Sequence, residues 1–169
     1  MEAGIDEAEW AKRTELFDQL KVSVMKTAGS NPPTVTAIKK IAKMMTKLEV
    51  LYDTHADSYA ALPRLALVHP TIWLTEAWQG VKNVDKTIEF ALKLLRNFGI
   101  IARIEGANFE VVSEMGLVNV EVVRALKYLT AALLAKGEVR AAEQSIQLAR
   151  TWYICITGSE VGMEDFFKG

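Results

Sequence analysis

Leu129-Thr130-Ala131-Ala132-Leu133-Leu134-Ala135-Lys136-Gly137-Glu138-Val139-Arg140-Ala141-Ala142 is the stretch on which the fold turns. Leu129 and Leu133 stand four apart, Gly137-Glu138 interrupts, and Val139 and Ala142 restart the helical spacing. That is the pattern of two helices joined by a tight turn, because glycine readily takes the left-handed conformation that ends a helix. Leu74, Thr75, Trp78, Lys82-Asn83-Val84, Thr87 and Ala91 hold the matching positions 55 residues earlier. Val68 to Leu94 and Val123 to Ala149 therefore read as an internal repeat of helix–turn–helix units. Units of this kind bury their apolar faces against one another, and such arrays characteristically hold other proteins.

Outward from the repeat, apolar spacing predicts six helices and no strand. Helix one spans Asp6 to Thr27, with Trp10, Phe17, Leu20 and Val24 on one side. Ala28 to Pro33 is a break, and Thr34 is the expected N-cap of helix two, Val35 to Thr54, striped by Ile38, Ile41, Met45, Leu48 and Tyr52. Helix three carries Leu65 to Gln79, either adjusted at His69-Pro70 or restarting at Pro70. Helix four reads as one stripe, Val84, Ile88, Ala91, Leu95, Phe98 and Ala102, capped by Asn83, with Gly99 inside it. Helix five spans Val120 to Lys136 behind Asn119, with Val122, Leu126, Leu129 and Leu133 inward. Helix six spans Val139 to Thr157 and stops at Gly158, with Val139, Ala142, Ile146, Ala149 and Tyr153 inward. The small residues Ala91, Ala142 and Ala149 fall where paired helices cross closely.

The expected organisation is one all-α domain over 1–169: a lead-in at 1–60, a first hairpin at 61–106, a second at 119–158 and a tail at 159–169. Glu105 to Asn119 reads as a loop anchored by Phe109. The acidic, aromatic tail Met163-Glu164-Asp165-Phe166-Phe167 is expected to dock back or to pack on a neighbour.

Bulk properties exclude several classes. The chain has 169 residues, 50% of them hydrophobic, which suits a globular domain with a substantial core. Its 20 Lys and Arg against 21 Asp and Glu give a net charge of −1, without the positive excess of a dedicated nucleic-acid binder. Cys155 is the single cysteine, so no disulfide closes within the chain, and a reducing cytoplasmic or nuclear setting is expected. The uncharged, largely apolar run Leu65 to Thr75 contains Pro70 and is too short to span a membrane.

The second unit resembles a tetratricopeptide repeat at Leu129, Leu133, Gly137-Glu138, Ala142, Ile146 and Ala149. The first resembles it through Leu74, Trp78, Ala91 and Leu94, and Thr75 and Thr130 stand where the family usually has glycine. The 55-residue spacing departs from the family period of about 34, as if the second helices were elongated. A lead-in followed by such hairpins resembles the helical C-terminal domain of SET-and-MYND-type and fungal SET-domain lysine methyltransferases. Leu48-Glu49-Val50-Leu51-Tyr52-Asp53, Pro63-Arg64-Leu65-Ala66 and Asn83-Val84-Asp85-Lys86, then Ala91 and Gly106, carry that likeness. It implies a right-handed array of about six helices that binds proteins. The chain lacks the Asn-His-Ser/Cys cofactor motif and the Cys-rich zinc cluster of the catalytic part, so neither catalysis nor a cofactor is expected of it.

The expected mechanism is display of a concave surface made by helices three and five, with Arg124, Lys127 and Tyr128 as contacts for a protein or peptide. The carboxylate clamp of chaperone-binding tetratricopeptide domains fits poorly. Glu76 and Ala131 stand at its asparagine positions and Ile72 at a lysine position. Lys39, Lys40, Lys43 and Lys47 read as the solvated side of an ordinary surface helix. His55 between Asp53 and Asp57 reads as a helix terminator, His69 as structural, Cys155 as a packing residue, and Trp73, Trp78 and Trp152 as core anchors. Two other functions suit the composition: a small-molecule pocket between hairpins, and a self-associating module. Monomer or weak homodimer is the expected state.

Overall fold

The computed structural model describes residues 7–28, 34–54, 67–114 and 118–168. The chain divides into two compact units, Met1–Ala60 and Ala61–Gly169.

In the first unit, α1 (Glu7–Ala28) packs on α2 (Val35–Thr54). Thr34 Oγ1 accepts the Ala37 N–H at 3.2 Å, the cap its position predicts. Leu20, Val24, Ile38, Ile41, Met45 and Leu48 are buried, while Lys39, Lys40, Lys43 and Lys47 are exposed. Helix two is thus amphipathic in the ordinary way. The side chains of Trp10, Phe17 and Tyr52, and residues His55 and Asp57, lie outside what is described.

The second unit comprises α3 (Val68–Gly80), α4 (Val84–Asn97), β1 (Ile100–Glu105), β2 (Asn108–Glu114), α5 (Val120–Lys136), α6 (Val139–Thr157) and α7 (Met163–Phe167). It is mostly helical with one small two-stranded sheet. Each long helix packs on the next, α3 on α4, α4 on α5, α5 on α6, and α3 also reaches α5. Leu94, Leu95, Leu126, Leu129, Ala142 and Ala149 form the middle of one continuous core. Pro70 lies in the first turn of α3, where its missing N–H leaves no helical bond unmade. Leu65-Ala66 are outside the described residues. Among the described residues, no helix is long and apolar enough to cross a membrane.

The two interhelical turns match bond for bond. Asn83 N–H bonds to Trp78 O at 3.0 Å, and Glu138 N–H to Leu133 O at 2.9 Å. One residue earlier, Lys82 N–H bonds to Gln79 O and Gly137 N–H to Leu134 O, both at 3.0 Å. This bond pair is the Schellman motif, which satisfies the last carbonyls of α3 and α5. Asn83 Oδ1 then accepts from Lys86 N–H at 3.1 Å, and Asn119 Oδ1 from Glu121 and Val122 N–H at 2.9 and 3.3 Å.

Each helix pair also carries one buried polar crossing. Asn97 Nδ2 donates to Thr71 Oγ1 at 2.8 Å between α4 and α3. Thr130 and Ser145 hydroxyls meet at 2.6 Å between α5 and α6. Thr75 and Thr130 each turn the hydroxyl back to the carbonyl four residues earlier, at 2.8 Å. A hydroxyl in this pose consumes its own donor, which is how a threonine is accommodated in these buried helices.

The all-helical expectation fails between α4 and α5. Helix four stops at Asn97 because Gly99 turns left-handed at φ 88°. Glu105 to Asn119, expected as a loop, and Ala102, expected on helix four, instead belong largely to an antiparallel hairpin over Ile100–Glu105 and Asn108–Glu114. Its Gly106-Ala107 turn opens with φ 61° at Gly106, as two-residue hairpins require. Ile100, Ala102, Ile104, Phe109 and Val111 pack on the helical core. A register shift beside Ile101 and Ala102 leaves Val112 without a partner and 56% exposed.

The hairpin also explains the long spacing of the repeat. Helix α4 has only 14 residues, so the second helix of the first pair is not elongated. The surplus sits in residues 98–119. Two smaller expectations also fail: Val139 is 54% exposed at the start of α6, and Cys155 is exposed rather than packed.

Candidate functional site

Arg124, Lys127 and Tyr128 come together because residues three and four apart share a helix face. The structure sets them side by side on α5, each engaged within the chain. Arg124 Nη1 pairs with Glu121 Oε1 at 3.0 Å. Lys127 Nζ donates to the backbone carbonyl of Phe166 at 2.8 Å. Tyr128 Oη donates to Glu76 at 2.7 Å, joining α5 to α3.

The tail docks back, and its Phe166 is what covers this face. The Arg124 guanidinium and the Lys127 ammonium lie 5.8 and 5.7 Å from the Phe166 ring centre, within cation–π range. Phe166 meets Phe167 edge-on at 5.2 Å, and both tilt against Tyr153 at 5.5 and 6.2 Å. Tyr153 Oη holds the approach to α7 by donating to Val161 O at 3.0 Å. The left-handed Gly162 (φ 82°) turns the chain into α7, and a Cβ there would stand 3.0 Å from Tyr153 Oη.

Beside Phe167 a groove of about 360 Å³ runs between α5 and α6, edged by Lys127, Tyr128, Leu134, Ile146 and Arg150, with Gln79 of α3 at its border. Leu134 is 54% exposed there. Burial pushes the Tyr128 phenol well above its ordinary range, and the bond to Glu76 adds to this because a phenolate would face a carboxylate.

The other sequence candidates disperse. Trp78 and Trp152 are buried and Trp73 is half-buried, as core anchors should be. Trp78 Nε1 is buried without an acceptor among the described residues. His69 is exposed in the first turn of α3. Among the described residues, no three His, Cys, Asp or Glu side chains gather to hold a metal ion. Glu76 and Arg150 are site residues the sequence did not single out as contacts. Glu76 belongs to the other hairpin, and Arg150 is one of two exposed arginines on α6, so neither carries a local signal. Comparison with models of protein families, with curated proteins and with solved structures finds no match to the chain.

Proposed function

We propose that the chain is a protein-interaction domain built as a tetratricopeptide-like stack, the accessory helical part of a SET-domain lysine methyltransferase of the cytoplasm or nucleus. Its binding surface is the α5 face with α3 beside it. The observation that supports the repeat most directly is the bond-for-bond recurrence of the helix-ending turn at Lys82-Asn83 and Gly137-Glu138 on successive helix pairs. Support for the parentage is the sequence resemblance, which covers the lead-in and both hairpins. Support for the surface is chemical: two cations, a phenol and an apolar groove converge where another chain segment already sits.

Two measurements test this. Immobilised chain should capture a protein from extracts of its source cells, and Arg124→Glu with Lys127→Glu should release it while the helical circular dichroism of the chain is kept. Retention by the double variant overturns the surface. Sequencing the full transcript should find SET motifs in the same reading frame. Methyl transfer from S-adenosylmethionine by the purified chain would overturn the accessory role.

A further inference from the structure

We infer that the α5–α6 groove is a docking site for a short acidic-aromatic peptide, carboxylates followed by a phenylalanine pair, and that Met163–Phe167 is its occupant in cis. This deepens the reading of the second unit as a protein-binding surface and rests on it. The seat recognises features that any peptide of this class carries. Lys127 reads a main-chain carbonyl, the cations of Arg124 and Lys127 flank one ring, and Tyr153 supports both rings. Arg150 and Lys168 line the same cleft as Glu164 and Asp165, which sets basic and acidic residues within screening distance of one another.

The occupant is lightly held. No residue of α7 is fully buried, and its link to α6 runs from Gly158 to Gly162, both left-handed at φ 80° and 82°. The groove also continues past Phe167 towards exposed Leu134, so a longer peptide gains apolar contact that the tail does not make. A tethered segment competes at an effective concentration in the millimolar range, so an incoming peptide must outbind it or find it released.

The test uses the full chain and a fluorescent peptide of residues 161–168, Val-Gly-Met-Glu-Asp-Phe-Phe-Lys. Phe166→Ala with Phe167→Ala should raise affinity for the probe at least about tenfold over the wild type. Adding Lys127→Met should remove about tenfold of it again. Excess probe should also speed hydrogen exchange of α7 amides in the unmodified chain, a readout that needs no folded variant. Equal binding by wild type and variant, unchanged α7 exchange, or equal binding of a scrambled peptide overturns the inference. Failure of the probe alongside Lys127-dependent capture of a partner sinks the peptide assignment alone. Failure of both sinks the surface.

Discussion

Lys82 and Gly137 adopt the same left-handed backbone, φ 61° and 88°, at positions 55 residues apart in the repeat. Only glycine takes this conformation without strain, and a side-chain-bearing residue costs about 1–2 kcal/mol there. Lys82→Gly should therefore stabilise the fold by about 0.5–1 kcal/mol after the added freedom of the unfolded chain is counted. Thermal melting should rise by about 2 °C. The reverse change, Gly137→Ala, meets no atom within 4 Å and so reports backbone strain alone. A Lys82→Gly variant that melts below the wild type would contradict this account.

The two buried polar crossings should respond differently to deletion. Ser145→Ala leaves Thr130 bonded to Leu126 O, so the loss should stay near 1 kcal/mol. Asn97→Ala removes a larger side chain that is 1% exposed and opens a void beside Thr71, and should cost about 2–3 kcal/mol. Urea denaturation of the two variants checks the order.

Tyr128 makes the protein sensitive to alkali. Its folded-state pKa lies above the unfolded value, chiefly through burial. The stability linked to it is fully present below the ordinary phenol range and declines as pH climbs towards the folded-state value. Tyr128→Phe should flatten the alkaline limb of the stability profile, and difference titration of phenolate absorbance should show one late-titrating tyrosine missing.

Gln144 ties the β-hairpin to α6. Its Oε1 accepts the Phe109 N–H at 2.7 Å and its Nε2 donates to Asn108 Oδ1 at 3.2 Å. Gln144→Leu should release the strand turn by about 1 kcal/mol. Hydrogen exchange should quicken at Asn108 to Val111 while α5 keeps its protection. Uniform quickening would place the effect in the global fold instead.

Helices two, five and six run over Val35–Thr54, Val120–Lys136 and Val139–Thr157, the spans their periodicity predicts. Their ends are legible because single residues set them: Thr34, Asn119, Gly137 and Gly158 cap by local geometry. The hairpin was hidden because Ala102 satisfies two periods at once, four from Phe98 and two from Ile100. Gly99 is where the helical pattern ends, and Ile100, Ala102 and Ile104 then alternate as a strand. At the candidate face, the grouping of Arg124, Lys127 and Tyr128 follows from spacing on one helix. Their partners Glu76 and Phe166 lie 52 and 39 residues away, and only tertiary packing reveals such pairs.

The strand pair at 100–114 separates the two helix pairs in sequence without separating them in space. Their adjacency is secured by side-chain fit between α4 and α5, not by a short connecting peptide. A nick at the solvent-facing Gly106-Ala107 turn would thus leave two pieces still clasped by strand pairing and helix packing. The same turn is a natural place to split the molecule into complementing halves, or to insert foreign sequence without disturbing the face on α5.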